Sequence, residues 1–428
     1  MATQKIIIIG AGAAGLIAAK ELSASGYNVI VLEAAQRAGG RMLTYEAEGF
    51  SMPIEAGAEF IHGNLPLTLA LAKLGNIRVV KIGGAMYRAE KGRLVKSEEM
   101  IEGWDELIEK MGEETNDLTL ATFLNLYYSD PQYGELRARV KSFAEGFDLA
   151  DIEKVSIKAL YEEWSHEEME EQYRIQGGYQ KLAQYLQREA ERNGCAFVFS
   201  SAVAHVEWKQ QQVSVSVRDG KTYTADKLLF AAPISILQCF DTAASVTFKP
   251  AIDDYLQAAK QIGFGTVIKS IIEFKDAFWY KQADDVEFIL SNEAIPVWWT
   301  QHPDKTPLLT GWMGGKHAFT FSEQTDEELH QLAMQSLSGI FHIPVEELVK
   351  KVKAWKIYNW RNKEYVHGAY TYAYPGSDAA IDLLRTPIDH TLYFAGEALY
   401  KGEFPATVEA ALVSGKEVAE KMMNREGV

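Results

Sequence analysis

The sequence predicts an α/β protein of two domains, the first of them a Rossmann-type dinucleotide-binding domain. Three features carry that expectation. The chain opens on a strand, a glycine-rich loop, a helix and a second strand, KIIIIGAGAAGLIAAKELSASGYNVIVLEA. From Cys195 the pattern turns to short alternating runs with turn signals between them, as small antiparallel layers do. A chain of 428 residues is also too long for a single compact core.

In the opening unit the β-branched run Ile6 to Ile9 makes the strand, and Gly10-Ala11-Gly12-Ala13-Ala14-Gly15 follows it. Gly10 permits the tight turn, Gly12 lets the backbone approach a pyrophosphate, and Gly15 lets the next helix pack close on the sheet. Ala13 and Ala14 begin that helix, whose free N–H groups and positive dipole end face the phosphates. The helix runs to about Ser25, Gly26 closes it, and a strand from Asn28 to Leu32 delivers Glu33. An acid there accepts hydrogen bonds from a ribose diol and repels a 2′-phosphate, which disfavours NADP. A nucleotide-free βαβ unit is the competing reading. Arg37, Gly39, Gly40 and Arg41 come next. A second glycine pair flanked by arginines supplies a further phosphate-contacting loop, which a bent FAD needs and an NAD site usually does not.

Residues 65–177 read as mostly helical, rich in Leu, Tyr, Glu and Lys, without strand alternation. Within them EEWSHEEMEEQY, residues 162–173, is either a solvated helix face or an acidic mouth for cationic amines. Gly177-Gly178 precedes an amphipathic helix. VSVSV with the turn at Asp219-Gly220 gives a hairpin, and LLFAAP ends a central strand at Pro233. GTVIKSIIEF, residues 265–274, is a strand with Lys269 on the face of Val267 and Ile271. Taken alone, that lysine is either a charge on a wet strand face or a cation set against something inside.

Composition narrows the classes. A hydrophobic content of 47% with 24% charged residues is that of a globular protein, and a net charge of −16 argues against nucleic acid and anionic membrane surfaces. Cys195 and Cys239 have neither metal-like spacing nor the number for a disulfide framework, so a reducing compartment is the default. The Ile run near the start is too short for a signal peptide, and no window reaches the roughly 18–20 apolar residues of a membrane span. A cytoplasmic location is expected.

The run from Glu33 to Arg41 fits E-x-x-x-R-x-G-G-R, and with it the chain resembles the flavin-containing amine oxidase family nearly end to end. The resemblance implies noncovalent FAD and an interleaved architecture. A glutathione-reductase-like FAD domain would comprise 1–77, 178–258 and 364–428. A mixed sheet with helices, 78–177 and 259–363, would form the substrate domain. It places Ala34 beside Glu33 at the cofactor, Gly57, Ala58 and Glu59 under the flavin, and the Val203 backbone at the adenine. Lys269 would hold a water against flavin N5, shortly before Phe278 and Trp279. In WRNKEYVHGAYTYAYPG, Trp360 lies beside the ring and Tyr370 faces the substrate. Ala369 stands where monoamine oxidases carry the cysteine that binds flavin covalently. Gly396-Glu397 and a helix from about Ala406, with Thr407 and Val408, match the C-terminal flavin motif, its N-terminus aimed at the C2 carbonyl. Phe404 replaces the second tyrosine of the monoamine oxidase aromatic pair. His62 falls where polyamine-oxidising members carry a histidine at the active-site mouth, unless it is only a turn residue before Gly63.

The implied activity is oxidation of a primary or secondary amine to an imine, with O2 reduced to H2O2 and no metal. Amino acids rank below simple amines, since no arginine follows EAGAEFIHG until Arg78. An FAD-dependent desaturase or protoporphyrinogen-oxidase-like enzyme, and a non-catalytic flavoprotein scaffold, are the alternatives on the same fold.

Overall fold

A computed structural model describes residues 4–97, 101–165, 171–239 and 244–424. At its centre Lys5–Ile9 pairs in parallel with Asn28–Leu32 on one side and Lys227–Phe230 on the other. Ala196–Val198 and Leu392–Phe394 extend this to a five-stranded parallel sheet. An all-apolar first strand is what a sheet covered on both faces requires. Ile6 and Ile8 pack among the helices Ala13–Ala24, Gln180–Arg192 and Val408–Met423, while Ile7 and Ile9 pack toward a second, smaller sheet. That sheet contains Val203–Lys209, Gln212–Val217 and Thr222–Ala225 in antiparallel order, with Thr247–Lys249 added in parallel at its edge. Gly220, at φ +90°, makes the turn expected between its hairpin strands.

The other half is built on a seven-stranded mixed sheet ordered Val352–Asn359, Val267–Phe274, Leu308–Gly314, Val297–Trp299, Val286–Leu290, Ala85–Glu90 and Arg93–Lys96. Val267–Phe274 lies inside it and is buried at every position. Ile268, Ile272 and Phe274 pack with the helix Asp326–Phe341. Val267, Lys269 and Ile271 point the other way, where Val267 and Ile271 meet apolar residues of the 43–56 region. Four helices, Trp104–Glu113, Leu120–Tyr127, Gly134–Gly146 and Ile157–Trp164, enclose a separate small core.

The expected absence of strands in 65–177 is corrected here. Val79–Ile82, Ala85–Glu90, Arg93–Lys96 and Gln172–Ile175 are strands. Two of them extend the mixed sheet, and the other two pair with each other, Gln172–Ile175 also pairing with Phe60–His62. Most of their residues are partly exposed, so no two-residue alternation marks them in sequence. Of the acidic run, residues 166–170 lie outside the described residues. Among the described residues no helix is long and apolar enough to cross a membrane.

Candidate active site

One cavity of about 1610 Å³ runs from the glycine loop of the parallel sheet to the inner face of the mixed sheet. It is larger than the ~300–1,000 Å³ that houses one small ligand, so a dinucleotide and a second molecule fit together.

At the glycine loop the three glycines do three different things. A Cβ on Gly15 would stand 2.0 Å from Gly10 O, so this glycine is what lets helix and strand meet. Gly10 sits at φ +100°. A Cβ on Gly12 would have nothing within 4 Å, because the position opens into the cavity. The helix Ala13–Ala24 has no side-chain cap, so its first N–H groups are available there, and Ala13 and Ala14 line the wall. Glu33 is fixed by two amides, accepting from Ala11 N at 2.7 Å and Ala35 N at 2.8 Å, and Ala34 lies beside it on the wall. Burial pushes the Glu33 carboxyl up against the pull of those amides.

Arg37 turns inward and shapes its own loop, donating to Gly40 O at 2.7 Å and Ala38 O at 3.1 Å. Gly39 and Gly40 both have positive φ. Arg41 pairs with the buried Glu397 at 2.9 Å and also donates to Ala369 O, while Thr371 Oγ1 donates to the second Glu397 oxygen at 2.6 Å. Gly57 passes so near Arg41 that a Cβ would lie 1.8 Å from its carbonyl oxygen. Trp360 Nε1 donates to Ala56 O at 2.8 Å. Ala58, Val203, Trp360, Ala369 and Gly396 line the same wall. The helix Val408–Met423 begins at Thr407, whose hydroxyl accepts from Ala410 N, and Ala406, Thr407 and Val408 bring its N-terminus to the cavity. These residues fit FAD. There is room beyond Gly12, two helix N-termini for phosphate and ring oxygen, and an acid for a ribose.

At the other end Lys269 is 1% exposed. Its Nζ donates to Glu55 O at 2.8 Å, to Glu59 Oε2 at 3.0 Å and to Gly57 O at 3.2 Å. Those three bonds use the three donors of an ammonium. Glu59, 6% exposed, also accepts from Trp299 Nε1 at 2.9 Å and Gln301 Nε2 at 3.4 Å, and Arg174 Nε stands 3.5 Å away. Burial alone would raise the Glu59 carboxyl, but Lys269 and Arg174 hold it below the usual carboxylate range. Arg174 donates in turn to Thr300 O and His302 O.

His62 reaches the cavity wall between Phe60 and Phe147, and burial pushes its pKa down to about 4. Tyr370 donates its hydroxyl to Phe147 O and stacks on Trp312 at 6.5 Å. Phe404 is set back from the wall and packs half-buried on the helical core of the parallel sheet. Trp312 is therefore the ring the structure places beside Tyr370. Trp299, Trp312 and Arg174 were missed in the sequence. The pair WW in IPVWWT was a usable signal for the first, whereas nothing near Arg174 marked it.

Residues 13–423 match the model of the flavin containing amine oxidoreductase family. Lysine-specific histone demethylase 1 homolog 3 of Arabidopsis thaliana is 27% identical, covering 98% of this chain but only 30% of its own length, so the chain spans less than a third of that relative. Polyamine oxidase 3 of Oryza sativa subsp. japonica is 25% identical over 99% of this chain and 90% of its own. The solved structure of a putrescine oxidase bound to putrescine superposes with a TM-score of 0.82, at 19% identity and 99% coverage of both chains.

Proposed function

The chain belongs to the flavin-containing amine oxidoreductase family, and from that membership we propose that it is an FAD-dependent amine oxidase. A primary or secondary amine is oxidised to the imine, which water hydrolyses to an aldehyde, and O2 is reduced to H2O2. What carries this reading is the continuity of one cavity from the glycine cradle to an aromatic wall backed by a buried lysine. FAD, when bound, supplies the acceptor for the hydride equivalent leaving the amine α-carbon and the two electrons that reduce oxygen.

The chain's own groups bind, orient and exclude water. Tyr370 and Trp312 form an aromatic face that steers a partly positive nitrogen through ring quadrupoles. The same apolar surroundings disfavour a full ammonium, so the amine is held in the neutral form that can react. His62, held neutral by burial, offers one hydrogen bond at the mouth without adding charge. Lys269 places its ammonium group behind the 55–59 run. With FAD bound, this ammonium would hold a water toward the ring by giving up its longest bond, the 3.2 Å one to Gly57 O. The N-terminus of Val408–Met423 sets a positive dipole end toward the place where negative charge gathers on reduction. Ala369 offers only a methyl group at the wall, which leaves FAD noncovalent.

The test is a peroxide-coupled assay of the purified yellow protein. The panel holds benzylamine, tyramine, putrescine, spermidine, spermine, a methylated-lysine peptide and several L-amino acids. Turnover of an amine is expected, and the winner sets the substrate class. Silence across the panel, with FAD bound and reducible by dithionite, would shift the reading to a desaturase-like enzyme or a scaffold.

A further inference from the structure

We propose that Glu59 is a positioning residue acting through Lys269, and that Arg174, Glu59 and Lys269 form one buried triad whose balance sets the charge presented to the flavin. This rests on the FAD reading above, and it assigns to Glu59 a task other than touching the cofactor. The carboxylate is fully committed to protein groups. One oxygen takes Lys269 at 3.0 Å, and the other takes Trp299 at 2.9 Å, with Gln301 at 3.4 Å and Arg174 at 3.5 Å behind it. Two backbone carbonyls, Glu55 O at 2.8 Å and Gly57 O at 3.2 Å, complete the coordination of Lys269. Gly57, Glu59, Lys269 and Trp299 all belong to the wall of the cavity.

The charge count gives the triad its sense. Two cations face one carboxylate that they hold ionised. The other acids near the cluster, Glu55 and Glu287, are pushed toward their neutral forms by burial. A lone ammonium against the flavin would strongly favour the reduced, more negative ring, and charge placed near that ring is a recognised means of tuning it. Glu59 moderates that pull, and Arg174 limits how far it does so. Both partners lie far away in sequence, Lys269 by 210 positions and Trp299 by 240, so the fold and not a local motif assembles the device.

The midpoint potential of bound flavin reads this directly, by dye-coupled reductive titration of wild-type protein, Glu59→Gln, Glu59→Asp and Arg174→Gln. Glu59→Gln keeps the size and the acceptor for Trp299 but removes the charge, and it shifts the potential upward. Glu59→Asp stays near wild type. Arg174→Gln shifts the potential downward. General damage to the pocket would not move two neighbouring variants in opposite directions. Unchanged potentials, or shifts of the same sign in both charge-changing variants, would overturn the proposal. If Glu59→Gln does not accumulate as flavin-loaded protein, Arg174→Gln against Arg174→Lys decides. A fall in the first with retention in the second supports the triad, and any other pattern overturns it. Wild-type protein that takes up no flavin overturns the FAD reading itself, and a flavin-loaded protein with insensitive potentials overturns only the triad.

Discussion

Glu55 sits one bond behind the triad, and its carboxyl is pushed up to about 7, by burial first and by the neighbouring Glu59 second. Thr44 Oγ1 at 2.7 Å and Tyr179 N at 2.8 Å hold it in place. A carboxyl that binds its proton more tightly folded than unfolded stabilises the fold at low pH. It loses that contribution as pH rises from the ordinary 4.5 to about 7. His62 has the opposite sign, because its depressed value removes stability as pH falls from 6.5 toward about 4. The two slopes oppose each other between those limits. Glu55→Gln is expected to match wild type near pH 4 and to exceed it at pH 8 by up to about 3 kcal/mol. Urea unfolding across that range checks this, and a difference independent of pH would show that Glu55 is not the titrating group. Lys269→Met should keep FAD bound yet slow reoxidation by oxygen, by about 10²-fold, the scale of losing one preorganised electrostatic group. Stopped-flow mixing of reduced enzyme with oxygen measures it, and unchanged rates in both half-reactions would remove Lys269 from the chemistry. Lys269 was legible because its strand, its apolar neighbours and the surrounding motifs agreed. Arg174 and Trp299 were not, because they meet at Glu59, a residue from another part of the chain.

The glycine loop was legible as an element because each of its positions answers to local geometry, and that geometry separates two kinds of glycine. Gly15→Ala places a methyl 2.0 Å from a backbone oxygen that cannot move without separating helix from sheet. It should lower the unfolding free energy of the apoprotein by an overpacking penalty of about 1–3 kcal/mol. Gly12→Ala meets no protein atom within 4 Å and adopts an extended backbone any residue tolerates. It should leave the apoprotein's melting unchanged while weakening FAD binding, since its methyl enters the space a pyrophosphate needs. Fluorescence titration of FAD set beside thermal melts of the apoproteins distinguishes the two, and equal losses of stability would contradict the assignment of Gly12 to the cofactor. The strands within 79–96 were illegible for a complementary reason. They are four to six residues long and half-exposed, and two of them find their partners far downstream, Val79–Ile82 on Gln172–Ile175 and Ala85–Glu90 on Val286–Leu290, some 200 positions away. No local alternation can announce a partner that distant. Phe404 shows the same limit for side chains, since its ring packs on the core and the ring stacked on Tyr370 is Trp312, from a distant strand.

At the scale of the molecule, the cavity is a seam between two sheets of different origin. The parallel sheet gathers strands from 5–9, 28–32, 196–198, 227–230 and 392–394, so much of the mixed sheet is inserted between its fourth and fifth strands. Side-chain bonds hold the seam beside the cavity. Lys269 reaches the 55–59 run, Trp299 and Gln301 reach Glu59, and Trp360 reaches Ala56. A ligand that fills such a seam binds the assembled state and not the unfolded chain, and it stabilises by mass action, by about 2.7 kcal/mol at a hundredfold excess over its Kd. Removing FAD should therefore lower the melting temperature, and adding it back should raise it in proportion to the logarithm of its concentration. Fragments sharpen the expectation. On the proposed reading ADP would occupy only the end lined by Gly12, Glu33 and Val203, whereas the flavin end would lie by Lys269 of the mixed sheet and the 57–58 run. At equal saturation relative to their own Kd the two ligands give equal shifts if each binds only the native state. At equal concentration FAD must give the larger shift, because it gains the contacts across the seam. Thermal melts followed by near-ultraviolet circular dichroism, with ADP and FAD titrated side by side, decide it. Equal shifts at equal concentration would mean that the flavin end adds no affinity, and that the mixed sheet and its lysine do not hold the ring.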